Sequence, residues 1–224
     1  MLPRILEPEV MDTVLEAVDY DSMDHSTVNR MFATDLILWL EQLRTDDDLS
    51  LLDVGTGTAQ IPIELCRRFQ NCHIWAIDLA AEMLKLGQRN IETAGLSHRI
   101  VLQAEDAKRM TFPDRHFDAV ISNSIIHHIP QPLDSLREMA RVLRPGGMLF
   151  VRDLSRPDSL PELRQIVETY AGTENAHQQQ MFYDSLHAAL TVDEMQEMLA
   201  AVSLPPEWVT MTSDRHWTIA GVKP

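Results

Sequence analysis

Basic residues are scarce. Lys plus Arg number 19 against 34 Asp plus Glu, a formal net charge of −15. A chain this acidic has no general footprint for a phosphate backbone, so nucleic acid is not an expected partner. Cysteine is nearly missing as well. Cys66 and Cys72 cannot build a disulfide framework, and no Cys-x-x-Cys spacing offers a zinc site. Long apolar runs are absent: the best, about Leu36–Leu40, is far short of the ~20 residues a membrane helix needs. The opening residues lack the apolar stretch of a secretory signal. These absences predict a soluble, cytoplasmic protein and leave its oligomeric state unread.

What is present suffices for a core. The 224 residues are 45% apolar and 24% charged, ordinary globular composition for one mid-sized domain. From residue 49 onward, short runs rich in Val, Ile and Leu alternate with helical patterns. Strands are predicted at Leu49–Val54, His73–Ile77, Ile100–Gln103, Phe117–Ser122 and Met148–Arg152, each apolar enough to be buried on both faces. Between them, Ile61, Leu65 and Phe69 mark one helix, with Pro62 in its first turn. Met83, Leu84, Leu86 and Ile91 mark a second that ends at Gly95. Leu133, Leu136, Ala140 and Leu143 mark a third that closes before Pro145-Gly146-Gly147. Such alternation implies an α/β, doubly wound, mostly parallel sheet with helices on both faces.

Outside this run the pattern changes. Helices are expected at about Ser159–Tyr170, Asn175–Leu190 and Val192–Val202, the last opened by a Thr191–Glu194 capping box. Trp208–Thr212 and His216–Val222 read as an antiparallel hairpin at the sheet edge. Residues 1–48 read as an N-terminal helical cap, strongest at Thr27–Leu43, and 49–224 as the binding domain. A helical insert at about 157–190 completes one compact domain overall. The cap and insert are where substrate choice is expected to reside.

The chemistry concentrates at the ends of the first strands. Leu51-Leu-Asp-Val-Gly-Thr-Gly-Thr-Ala runs from a strand through a Gly-x-Gly turn into a helix. Gly55 and Gly57 permit positive φ and close approach of backbone to a ligand, beside helix-start N–H groups. Asp53 would face a cationic ligand group. Asp78 ends the second strand, 21 residues after Gly57, where an acid commonly bonds ribose hydroxyls. Asp106 follows the third strand. Any one of these acids could be a loop or cap residue, but three at successive crossovers point to a site.

On the blocks LDVGTGTA, IWAIDLAAEML, QAEDAKRMTFPDRHFDAVISNSIIHHI and RVLRPGGMLF, the chain resembles the class I S-adenosylmethionine-dependent methyltransferases from Leu51 to Asp153. The resemblance implies a Rossmann-like seven-stranded sheet with one antiparallel strand in the edge hairpin. S-adenosylmethionine would be the cofactor and S-adenosylhomocysteine the product. Gly55, Thr56 and Gly57 would pack along the cofactor, with Asp53 near its amino group. Asp78 would bind the ribose, and Leu79 and Met83 would flank the adenosine. Asp106 and the Ala107 N–H would meet the adenine, and Asn123 would line the methyl-donor end. Tyr20 would fold over the cofactor's carboxylate, or simply pack. The stretch from Phe150 to Pro157 resembles the quinone-biosynthesis branch. That branch has Glu where Asp153 stands and a fourth-strand motif missing here, so no quinone acceptor is assigned.

The expected reaction is methyl transfer to a small-molecule acceptor by in-line displacement, with alignment as the main task. A base is needed only where the acceptor carries a proton to remove. His127 or His128, just past the fourth strand, are the candidates, against the plainer reading that they turn or pack a helix start. Adjacent side chains are expected to project apart, and His25, His73, His98 and His116 are scattered, so no metal is expected. Asp24, His25, Asp153 and Tyr183 are lesser candidates near the site. Two alternatives stay open. One is a cofactor-binding or interaction module without turnover. The other, less favoured, is a nicotinamide-dependent oxidoreductase, whose fingerprint wants a small residue where Gln60 stands and whose pyrophosphate would be repelled by Asp53.

Overall fold

Successive side chains of the buried strands point to opposite faces, which divides the core between the two sides of one sheet. In the computed structural model, which describes residues 2–10, 12–43 and 48–224, β1 spans Leu49–Val54 and β2 Cys72–Asp78. Next come β3 at Ile100–Ala104, β4 at Phe117–Asn123 and β5 at Leu143–Leu154. The terminal hairpin supplies β6 at Val209–Met211 and β7 at His216–Val222. Leu51 packs on one face with Ile74, Ala119 and Phe150. Its neighbours Leu52 and Val54 pack on the other with Ile77, Val120 and Val151, the two-residue period of a pleated strand.

The strand order is β3-β2-β1-β4-β5-β7-β6. β1 pairs in parallel with β2 and β4, while β7 is antiparallel to both β5 and β6, so the expected sheet is the one observed. The chain leaves β1 toward β2 and β3, then returns to β4 on β1's other side. That reversal opens a crevice at the carboxyl ends of β1 and β4, where open α/β sheets bind ligands.

The helices are α1 at Val14–Ser22, α2 at Ser26–Leu40, α3 at Gln60–Arg68 and α4 at Ala81–Ala94. They continue with α5 at Pro132–Val142, α6 at Leu160–Ala171, α7 at Ala176–Ala188 and α8 at Val192–Ala201. On one face Phe32, Leu36 and Leu40 of α2 join Ile61 and Leu65 of α3. On the other, Leu136 and Met139 of α5 join Met195 and Leu199 of α8 around Trp217, whose indole N–H donates to the Leu190 carbonyl at 3.1 Å. The Thr191–Glu194 capping box forms, and Thr13–Glu16 and Asn175–Gln178 make two more.

Several element boundaries shift by a few residues from expectation, and two of the shifts have a local cause. Phe69 caps α3 in an extended conformation rather than continuing it. Leu143 begins β5 rather than ending α5, and Pro145-Gly146-Gly147 lie inside that strand, where the register shifts opposite Phe117 and Ala119. Gly146 takes φ +74°, and a side chain on Gly147 would meet the Asp118 carbonyl at 2.8 Å. The glycines thus permit a bulge where composition alone suggested a break. Part of the 1–48 segment, residues 1, 11 and 44–47, falls outside the described residues.

The N-terminal residues run as a strap across the carboxyl edge of the sheet. Arg4 donates to the carbonyls of Ala188, His127 and Ile129 at 2.7, 3.0 and 3.0 Å, and the Ile5 N–H to that of His187. Farther along, Glu9 pairs with Lys108, and Asp12 caps α4 by accepting the Glu82 N–H at 2.9 Å. Among the described residues, no helix is long and apolar enough to cross a membrane.

Candidate functional site

The turn after β1 is held by its neighbour strand. The N–H groups of Gly55 and Thr56 both donate to the Ile77 carbonyl, at 2.8 and 2.9 Å. Gly57 follows at φ +54°, and a Cβ there would meet nothing nearer than Tyr20, at 3.6 Å, so its backbone faces open space. Gly55 has a different reason to lack a side chain: a Cβ would lie 2.4 Å from Ile125. Asp78 ends β2 with both oxygens engaged, accepting the Gly57 N–H at 2.8 Å and the Ala80 N–H at 2.9 Å. Burial pushes its carboxyl above the ordinary range against these two donors.

These groups line one side of an open cleft at the carboxyl edge of the sheet. Of the residues singled out by sequence, Tyr20, Gly55, Gly57, Asp78, Leu79, Met83, Asp106, Ala107, Asn123 and His128 all line it. Asp106 lies at the far end. Although partial burial opposes it, Lys108 holds this carboxyl below its usual range, with the ammonium 3.0 Å away.

Asp53 and Thr56 lie deeper, in a recess shared with Tyr20, Gly55 and Asn123. The Asp53 side chain is 2% exposed, and its Oδ2 has no hydrogen-bond partner, as is true of Thr56 Oγ1, Thr58 Oγ1 and Asn123 Oδ1. Burial, opposed by the nearby Thr56 hydroxyl and reinforced by the Asp78 charge, pushes the Asp53 carboxyl up to about 7. A cluster of buried polar atoms short of partners is costly unless a ligand engages it. The set fits a cationic donor group. Tyr20 overhangs this recess, its phenol pushed up to about 12 by burial and by the carboxylates of Asp78 and Asp53. It stays protonated, able to donate, throughout the physiological range. His25 stacks on it, with ring centroids 4.7 Å apart.

His127 is not on the cleft. Its side chain is 3% exposed, and Nδ1 donates to Asp153 Oδ1 at 2.5 Å while its backbone N–H donates to Oδ2 at 3.1 Å. The expectation that it faces an acceptor is therefore corrected: a fully buried Asp153 pins it into the core. Although burial opposes ionisation of both, each favours the other's charged form, raising the imidazole and lowering the carboxyl. The expectation that the adjacent histidines project apart is corrected too. Both lie on the 3-10 turn Ile126–His128, with ring centroids 4.1 Å apart. Of the lesser candidates, Tyr183 packs against His187 within the insert.

Sequence reading missed the strap. Glu9 and Val10 line the cleft with Lys108 and Ser124. No spacing signal marks Glu9, whose partner Lys108 lies 99 residues away, or Val10, which packs against Ala17, Ala80 and Met83. Lys108 was open to inspection, standing two residues after Asp106.

Known proteins resemble the chain over this same region. A family profile described as a methyltransferase domain matches residues 52–151, from β1 through most of β5. The chain is 29% identical to the demethylmenaquinone methyltransferase of Bacteroides fragilis over 166 residues, 73% of its own length. That match spans 65% of the relative, just short of two thirds. A Methanococcus maripaludis protein assigned to the S-adenosyl-L-methionine-dependent methyltransferases superposes with a TM-score of 0.74 at 17% identity, over 98% of both chains. A SAM-dependent methyltransferase from Aquifex aeolicus gives 0.65 at 15%, over 93% of this chain and 97% of its own. At these identities the structural likeness is one of fold.

Proposed function

We propose that the chain, which matches a methyltransferase-domain profile over residues 52–151, is a class I S-adenosylmethionine-dependent methyltransferase that moves a methyl group from S-adenosylmethionine to a small-molecule acceptor in the cytoplasm. The observation that carries this reading is the buried Asp53 carboxyl, raised to about 7 with one oxygen unpartnered. A nicotinamide cofactor would bring a pyrophosphate toward that acid, whereas S-adenosylmethionine brings an ammonium and a sulfonium. The acceptor recess and the donor fit.

Bound, the cofactor supplies a methyl group already activated on a positive sulfur. The chain's task is then to hold, align and exclude water. Asp53 would take the ammonium, and the Tyr20 hydroxyl would donate to the carboxylate. Asp78 would accept from the ribose hydroxyls through the lone pairs that Gly57 and Ala80 leave free. Leu79 and Met83 would pack on the adenosine. Asp106 and the Ala107 N–H would meet the adenine edge, and Asn123 would border the methyl-donor end. Backbone along Gly55, Thr56 and Gly57 would cradle the chain between. His128, unlike His127, lines the cleft and is the base for an acceptor that must lose a proton.

The acceptor is read more coarsely. The relatives' names make a quinone worth including in a panel, but the branch's Glu position is filled here by Asp153, fully committed to His127 and Leu154. The test is calorimetric titration with S-adenosylmethionine, S-adenosylhomocysteine and NADH, followed by a methyl-transfer screen. Micromolar binding of the two adenosyl ligands, none of NADH, and transfer to one acceptor class are expected. NADH preference would overturn the reading. Binding without transfer across the panel would favour a module that lacks turnover.

A further inference from the structure

Three atoms able to ligate a metal meet beside the cleft, and with a metal bound the His128 lone pair is committed, so that residue serves as base only in the metal-free protein. Glu7 comes from the N-terminal strap; His127 and His128 come from the 3-10 turn after β4. Glu7 Oε1 lies 3.0 Å from His128 Nδ1 and 3.5 Å from His127 Nε2, and the three donors all fall within 4.8 Å of one another. Their side chains are 11%, 19% and 3% exposed. Glu7 Oε1 and His128 Nδ1 are both buried and in ion-pair contact, an arrangement that a cation shared between them would also satisfy.

We infer that Glu7, His127 and His128 form a site for a divalent first-row transition metal ion, with zinc the best match. Two imidazole nitrogens and one carboxylate oxygen are a donor set that zinc takes. With metal–ligand bonds of about 2.1 Å, tetrahedral donors stand about 3.4 Å apart, close to the 3.0 and 3.5 Å that separate the Glu7 oxygen from the two imidazole nitrogens. Calcium and magnesium would require oxygen donors instead. The second layer also agrees. His127 gives its Nδ1–H to Asp153 at 2.5 Å, which leaves the lone pair on Nε2, as an outer carboxylate does for a metal-bound imidazole. Two carboxylates, Glu7 and Asp153, set the local charge. The neighbouring cation, Arg4, is turned to the carbonyls of His127, Ile129, Pro130 and Ala188. His128 borders the cleft, so the remaining coordination position opens there, to water or to an oxygen of the acceptor. This site departs from the sequence expectation of no metal because its third ligand stands 120 residues from the histidines.

The test titrates metal-stripped full-length protein with zinc chloride, without cofactor, so metal binding and cofactor binding are read separately. One equivalent at micromolar affinity or tighter is expected, with a rise in Tm. Glu7→Gln and His128→Gln should each weaken binding at least tenfold. Circular dichroism checks that both variants fold. Should either unfold, the visible spectrum of the cobalt-substituted wild type decides, since imidazole–carboxylate ligation lacks the thiolate charge-transfer band. No stoichiometric zinc uptake by the wild type overturns the site. Uptake that survives both substitutions, or a thiolate band pointing to Cys66 and Cys72, overturns it as well.

Discussion

Asp53 at the end of β1 and Asp153 at the end of β5 are chemically the same group, both buried at the carboxyl edge of one sheet, and they titrate in opposite directions. Asp53 has an unpartnered oxygen and is pushed up to about 7 by burial. Asp153 is equally buried, but His127 and two backbone N–H groups satisfy it, and it falls below the usual range. Burial is therefore not what distinguishes them. Partners are. A satisfied buried carboxylate is part of the fold, here fixing the His127 ring. An unsatisfied one costs free energy in the ligand-free protein, and that cost is relieved when a cation arrives.

The largest expected effect comes from breaking the satisfied member. Asp153→Asn takes the charged partner from a buried imidazole and turns one of the two oxygens that accept backbone N–H groups into a donor, a loss of about 3–5 kcal/mol. Urea unfolding of metal-free protein at pH 7 measures it. A midpoint equal to wild type would erase the contrast with Asp53.

Asp78→Ala sharpens the cofactor side. It removes the acceptor of the Gly57 and Ala80 N–H groups and the expected ribose ligand, so S-adenosylmethionine should bind about 2–3 kcal/mol more weakly. Calorimetry reads this directly, and unchanged affinity would refute the ribose assignment.

Asp53→Asn should move stability the other way. The Asp53 carboxyl titrates at about 7 when folded and near 3.8 otherwise. The cost of its charge is absent below about 3.8, grows through the interval, and is complete above about 7. At pH 8 the ligand-free variant should therefore be more stable than wild type by about 1–3 kcal/mol, seen as a higher Tm, with the difference vanishing at pH 4. Cofactor binding carries the complementary sign. Wild-type affinity should rise as pH climbs to about 7 and level off above it, because the ammonium needs the ionised acid. The variant should bind more weakly and show no such rise.

Asp53, Asp78 and Asp106 were legible because each sits within a few residues of a strand end, and the strand pattern fixes where that end points. The same held for the hairpin that supplies β7. The partners of Asp153 were not legible. Its bond to His127 spans a helix and a strand, Glu7 arrives from the far end of the chain, and the 3-10 turn Ile126–His128 rotates adjacent rings together in a way no periodicity announces. Pro145-Gly146-Gly147 misled for a related reason: glycine marks permission for positive φ, and a bulge uses that permission without ending the strand.

The smallest effect tests whether the unsatisfied side is completed by a donor as well as a cation. Tyr20 overhangs the recess, and with its phenol pushed up to about 12 it keeps its proton and can donate across the working pH range. Were it merely packing, Tyr20→Phe would keep the ring against His25 and leave cofactor affinity untouched. If the hydroxyl donates to the cofactor's carboxylate, the variant should lose about 1 kcal/mol, a charge-assisted bond partly replaced by water. S-adenosylmethionine and a decarboxylated analogue separate the two cases by calorimetry. The loss should appear with the first ligand and disappear with the second, and equal losses with both would return Tyr20 to a packing role.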